Sequence, residues 1–211
     1  LKILKRNKFL LALVIVIFLG VFLRSYDYAK TPNGFNQDEV SSVYESFSLL
    51  KNGTDRWGNS WPAYFLSWGS GQTVLLSYLD IPVFEVLGIS AFTIRFLPYL
   101  FGILSLPLIY FVGKELFSRR VGLIATAILA FSPWHIMASR WGLESNLLPF
   151  FLLLTLYFYS RALDSRGWII PTVISVVLCL YSYSISLLFL PFVILLLAWK
   201  NWDKFIKFKR R

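Results

Sequence analysis

Apolar residues run in long stretches from end to end of this chain, and polar residues gather in the gaps. Six runs stand out: Phe9–Leu23, Phe92–Phe117, Val121–Ala138, Leu147–Leu163, Trp168–Tyr183 and Ile185–Trp199. A helix crossing a bilayer needs ~17–25 mostly apolar residues, and flanking residues complete the shorter runs. The pattern therefore predicts an all-α polytopic membrane protein with about six transmembrane helices. The polar cluster Ser182-Tyr183-Ser184-Ile185-Ser186 divides the last long stretch into two spans joined by a tight hairpin.

Between the first and second runs lies the one sizeable polar region, residues 24–91. It contains two helical patterns. From Asp38 onward, Val40, Val43, Tyr44, Phe47 and Leu50 fall on one helix face, the signature of a helix lying on a membrane surface. Lys51-Asn52-Gly53 ends it, with a cation in the last turn and glycine at the stop position. A turn-rich stretch follows from Trp57 to Gly71. The second pattern, Gln72–Ile89, is apolar but carries Asp80, Pro82 and Glu85.

Charge settles how that second pattern is placed. Of 21 Lys and Arg, 15 fall on the side of the N-terminus if Gln72–Ile89 does not span, and 6 on the other side. If it spans, the split reverses. The positive-inside rule selects the first arrangement. The N-terminus is then cytoplasmic, and residues 24–91 form the first extracytoplasmic loop, with Gln72–Ile89 interfacial or re-entrant. The acids sort the other way: Asp27, Asp38, Glu39, Glu45, Asp55, Asp80, Glu85 and Glu144 lie outside.

Composition agrees with the pattern. The chain is 57% hydrophobic and 18% aromatic, against ~45–50% apolar in soluble domains. The formal charge of +10 does not signal nucleic acid, because the basic residues sit between apolar runs as topology signals do. A single cysteine provides no disulfide framework. The basic N-terminus and first run resemble a signal peptide, but Arg24, Tyr26 and Tyr28 stand where a small-residue cleavage site belongs. An uncleaved span fits better.

The candidate chemistry lies outside. Asp38-Glu39 opens the surface helix and has two readings. Asp38 at the cap with Glu39 in the first turn would satisfy free amides. Alternatively, Asp38 is a general base for an acceptor hydroxyl or amine, with Glu39 orienting it. Arg140 and Glu144, four apart in SRWGLESN, share a face if that stretch is helical. They form a local ion pair or line a cavity in which Arg140 holds a phosphate. Arg95 lies near the outer start of the second run, where snorkelling to the interface is the plain reading. His135 beside Trp134 reads as an interface residue. No metal-ligand, Walker, Rossmann or serine-hydrolase spacing stands out, and the sequence points to no cofactor or divalent cation.

Several segments together resemble the polyprenyl-phosphate-dependent glycosyltransferases of the GT-C fold, in the protein O-mannosyltransferase and aminoarabinose-transferase-like superfamily. The matching pieces, in order, are FNQDE, GNSWPAYFLSWGSG, ISAFTIRFLPYLFGIL and GKELFSRRVGLIATAILAFSPWHIMASRWGLESN. The resemblance implies one GT-C-like transmembrane domain over residues 1–211, expected to be the N-terminal part of a longer enzyme. It implies a glycosyltransferase of the plasma membrane that draws a hexose or pentose from a polyprenyl-phosphate donor. The acceptor would be a glycan, lipid or protein, and the reaction extracytoplasmic. It makes Asp38 the catalytic aspartate and Glu39 its companion, and sets Arg140 and Glu144 at the polar end of the next outward loop. One departure matters: many relatives carry Lys-Pro-Pro before the second outward helix, where this chain has Gly69-Ser70-Gly71-Gln72. Arg56, Arg95 or Arg140 would then have to meet the donor phosphate. The competing expectation is a non-catalytic membrane carrier or scaffold for polyprenyl-linked sugars. Span centres nearly free of charge favour the enzyme over a transporter.

Overall fold

The computed structural model describes residues 2–67 and 69–202, with side chains described from Asn7 onward except at position 70. The basic tail expected to be cytoplasmic, with Lys204, Lys207, Lys209, Arg210 and Arg211, lies outside the described residues. The fold is helical. α1 (Lys2–Ser25) leads through a turn to α2 (Gln37–Asn52). A small hairpin follows, β1 (Phe65–Ser67) paired antiparallel with β2 (Ser70–Gln72), and corrects the all-α expectation at one place. Then come α3 (Leu75–Leu87), α4 (Ala91–Ile94), α5 (Phe96–Leu116), α6 (Arg119–Phe131), α7 (Pro133–Ala138), α8 (Leu148–Ala162), α9 (Ile169–Ser182) and α10 (Ser186–Lys200). A 3-10 turn, Glu144–Leu147, precedes α8.

Of the six expected spans, two are matched by single helices of spanning length. Two described helices, Asn7–Ser25 and Phe96–Leu116, are long and apolar enough to cross a membrane. The other four runs form helices of 13 to 15 residues, ~20–22 Å at 1.5 Å per residue, against a hydrocarbon core of ~30 Å. The run Val121–Ala138 is not one helix. Pro133 breaks it, and the chain restarts as α7 with Ser132 as cap. Much of the surface of these helices is bare and apolar, including Phe18, Phe22, Ile124, Ile128, Leu188 and Phe192.

α5 sits centrally, packed against α1, α6 and α8, and α8 packs on α9. Glycine sets the closeness of α5 and α6. A Cβ on Gly113 would lie 2.8 Å from the Gly122 backbone, and one on Gly122 2.6 Å from the Tyr110 carbonyl. Small residues let helix backbones approach where apolar burial gives no drive. The main core, Leu76, Leu97, Leu147, Phe151, Cys179 and Leu190, joins α3, α5, α8, α9 and α10.

The loop has its own small core of Leu49, Phe65 and Val74. α2 reaches it by its polar face. Ser41, Ser42, Ser46 and Ser48 are buried, and Ser42 meets Ser77 of α3 at 3.0 Å. The apolar stripe Val40, Tyr44 and Phe47 is left exposed. Gly53 ends α2 with φ of 69°, its N–H on the Leu49 carbonyl, as the sequence predicts.

Candidate functional site

The first turn of α2 decides what its acids can do. The cap is Asn36, not Asp38. Asn36 Oδ1 accepts from the Asp38 N–H at 2.9 Å, and Glu39 Oε2 accepts from the Asn36 N–H at 2.8 Å. Such a reciprocal box satisfies two donors at once. The Asp38 side chain is thereby released from capping and stands exposed. Glu39 goes the opposite way and is fully buried.

Glu39 is the hub behind the site. Its Oε1 accepts from Arg95 Nε at 3.1 Å and from the Gly142 N–H at 2.8 Å. Arg95 is itself buried, which corrects the snorkelling reading. It donates onward to the carbonyls of Pro32 at 2.9 Å and Gly34 at 2.6 Å. Gly142 must be glycine here, since a Cβ would lie 2.8 Å from the Ile94 carbonyl and 3.3 Å from Glu39 Oε1. Glu39 and Arg95 therefore tie three separate stretches together: the start of α2, the α4–α5 junction and the loop leading to Glu144.

That tie brings Asp38 and Glu144 to one cleft. The cleft holds about 220 Å³ and is lined by Asp38, Ser67, Gln72, Glu144, Ser145 and Tyr183 among others. Glu144 opens its 3-10 turn, so it does not share a helix face with Arg140, and no ion pair joins them among the described residues. Burial first, and then the charge of Asp38, push the Glu144 carboxyl up to about 7, against the pull of hydrogen bonds from Thr73 and Gln72. Its Oε2 is buried without a hydrogen-bond partner. A buried acceptor left unpaired costs about 1–3 kcal/mol.

The other predicted cations lie elsewhere. Arg140 Nη2 donates to the carbonyls of Leu23 at 2.5 Å and Tyr26 at 2.8 Å, at the end of α1. Arg56 pairs with buried Glu45 and donates to Ser41 Oγ at 2.6 Å. Ser41 in turn reaches Gln72 Oε1 at 3.4 Å, so Arg56 meets the cleft wall through that hydroxyl. No Lys, Arg or His is among the described residues lining the cleft. Nor do the described residues hold any cluster of three or more metal-ligating side chains.

Sequence reasoning missed several contributors. Thr73 sits in the Gln72–Ile89 pattern read as an interfacial helix, and Tyr183 in the cluster read as a hairpin between spans. Arg24 and His135 are buried, which corrects the interface reading of His135. Arg24 donates to the Leu129 and Ala130 carbonyls and to His135 Nδ1 at 2.8 Å. The signal for Arg24 was Pro133: proline cannot supply the N–H that Leu129's carbonyl would otherwise receive from position 133.

A comparison with curated proteins returns no match. A family model does match, over residues 72–210. That stretch takes in Gln72, Thr73, Arg95, Arg140, Gly142 and Glu144, and begins after Asp38 and Glu39. It covers well over half of the 211 residues, and the chain belongs to the family described as dolichyl-phosphate-mannose-protein mannosyltransferase.

Proposed function

We propose that this chain, a membrane glycosyltransferase by family, transfers a sugar from a polyprenyl monophosphate to an acceptor hydroxyl or amine at the extracytoplasmic face, with Asp38 as the base. The acceptor atom bonds to the anomeric carbon while the bond from that carbon to the phosphate oxygen breaks. The electron pair leaves with the polyprenyl phosphate, and the acceptor's proton goes to Asp38. A phosphate leaves without strong acid, so a positioned base and stabilisation of the phosphate are the minimum machinery.

The observation that carries this reading is the position of Asp38. Its carboxylate is free of the helix cap, stands on a rigid helix start and faces a polar cleft shared with Glu144. The apolar stripe of α2 is uncovered, as suits a helix meeting lipid, which supports a site at bilayer level where a lipid-carried sugar arrives. The charge split of 15 to 6 supports the outward orientation of this loop.

A transfer assay with a panel of polyprenyl-phosphate sugars tests the reading. Asp38→Asn should lower kcat about 10²–10⁴-fold, the scale of a lost general base. Donor KM and thermal stability should hold, since Asn36 supplies the cap. Near-full activity in Asp38→Asn refutes Asp38 as base. Binding without transfer from any donor supports the carrier reading.

A further inference from the structure

The cleft described above has an unusual wall for a site that receives a phosphate. Its described lining consists of carboxyl, hydroxyl, amide and apolar groups. The three arginines closest to it in expectation, Arg56, Arg95 and Arg140, are engaged with Glu45 and Ser41, with Glu39, and with carbonyls of the α1 end. Against this wall stands one carboxyl, Glu144, with a buried oxygen that has no partner.

The surroundings of Glu144 fit an acid that keeps its proton. The Thr73 hydroxyl donates to the Ser182 carbonyl at 3.1 Å. Thr73 and Gln72 also donate toward Glu144 and pull it toward its ionised form, but no donor among the described residues reaches its buried Oε2. A charged oxygen buried without a donor is costly, and a proton on it removes that charge. The facing charge of Asp38 and the burial of the group act in the same direction. Two carboxylates sharing one small cleft do not both ionise easily, and Asp38 is the more exposed of the two.

We infer that Glu144 is a hydrogen-bond donor to the phosphate of the lipid-linked sugar, its carboxyl proton serving in this cleft where a cation would otherwise stand. The inference rests on the transferase reading for its substrate class. A phosphate oxygen entering the cleft is a strong acceptor and takes the hydrogen bond that the unpartnered Oε2 can offer when protonated. As the bond from the anomeric carbon to the phosphate oxygen breaks, charge grows on that oxygen and the hydrogen bond strengthens. Glu144 retains its proton throughout, and the acceptor's proton goes to Asp38. The two carboxyls thus divide the work: one ionised and receiving, one protonated and donating.

Binding of a polyprenyl monophosphate to the full chain in nanodiscs, measured from pH 5 to pH 9, tests the inference without requiring transfer. Three proteins are compared: wild type, Glu144→Gln and Glu144→Ala. The amide of Glu144→Gln donates a hydrogen bond at every pH. The ligand's own second ionisation, near pH 6, and titration of Asp38 or Tyr183, the other titratable groups lining the cleft, persist in Glu144→Gln. The ratio of wild-type to Glu144→Gln affinity therefore isolates Glu144. That ratio should fall about tenfold or more as pH rises through about 7. Glu144→Ala should bind about tenfold or more weaker than Glu144→Gln at all pH values. A flat ratio, equal binding by Glu144→Ala and Glu144→Gln, or no binding by the wild type overturns the inference. Sugar transfer by a wild type with a flat ratio sinks this inference alone. Absence of transfer from every donor, with the pH step in binding intact, sinks the transferase reading alone.

Discussion

Arg95→Met should destabilise the protein severely while touching no substrate. Glu39 and Arg95 are both essentially removed from solvent, at 0% and 1% relative exposure, so the variant leaves a carboxylate buried without its counter-charge. Breaking such a pair by removing one partner costs about 3–5 kcal/mol. The Asn36 and Gly142 N–H groups would remain as donors to Glu39, which places the cost at the lower end of that range. For a chain of this size each kcal/mol moves Tm by ~2–4 °C, so the expected fall is about 6–12 °C. Glu39→Gln should also lower Tm. One carboxylate oxygen becomes an NH₂ that faces N–H donors from Asn36, Gly142 or Arg95, and the Arg95 charge is orphaned. Combining the two changes should cost less than the sum, with a coupling of about 1–3 kcal/mol. The assay is thermal unfolding in detergent beside a transfer measurement. Asp38→Asn should lose activity at unchanged Tm, whereas both Glu39→Gln and Arg95→Met should lose Tm and activity together. A Tm within 2 °C of wild type for both Arg95→Met and Glu39→Gln, an ~1 kcal/mol effect at most, refutes the view that this pair holds the site together.

Three further outcomes are expected. With Cys179 replaced, a cysteine at exposed Asn59 should label from outside the cell and one at exposed Arg119 should not; external labelling at 119 overturns the orientation. Asp80 is buried in α3 with Oδ1 unpartnered, and burial holds its carboxyl well above the usual range. Its folded-state pKa exceeds the unfolded value, so the folded state binds the extra proton and stability falls as pH rises above the ordinary aspartate range. Asp80→Asn should therefore differ least from wild type in Tm at or below the ordinary aspartate range, about pH 4, and gain on it as pH rises above that; a pH-independent difference refutes this. Arg140→Ala should lower Tm with donor KM little changed, because its contacts are carbonyls at the end of α1; a large KM rise at unchanged Tm would return Arg140 to the donor site.

Local features were legible in the sequence to the degree that they depend on neighbours. The stop of α2 at Gly53, a helix within Gln72–Ile89 and the break after Ser182 all follow from residues within a few positions. The cap was also legible, though misassigned. Asn36 has Glu39 three residues later, which the capping-box spacing requires, whereas three after Asp38 comes Ser41. Pro133 inside an apolar run carried its own warning of a break. What could not be read is long-range pairing. Glu39 meets Arg95 across 56 positions and Gly142 across 103. Hydrophobic period places residues on faces but does not match one polar side chain to another. The pairing of Asp38 with Glu144 in one cleft is of that kind. It depends on the Glu39 hub, which the sequence disguised as a companion of the base.

The fate of the arginines has a physical cause that charge counting overlooks. A helix that ends near a bilayer leaves carbonyls with no following N–H, and little water is at hand to replace it. Arginine answers that need, because its planar fork offers five donors from one side chain and stays charged. Arg24 serves the end of α6, where Pro133 removes a donor. Arg140 serves the end of α1. Arg95 serves the loop carbonyls of Pro32 and Gly34 besides Glu39. Arg24, Arg95 and Arg140 are thus claimed by backbone carbonyls before any ligand arrives. Donors for a phosphate must come from groups the helix ends do not use, and a buried carboxyl that retains its proton is one such group. The same reasoning implies that adding a lysine at the cleft, for example Gln72→Lys, would supply charge without disturbing a helix end. In that variant donor binding should lose its dependence on the Glu144 proton, and Glu144→Ala on that background should cost less than in the wild type. If Glu144→Ala costs the same with and without the lysine, the two groups do not serve the same phosphate.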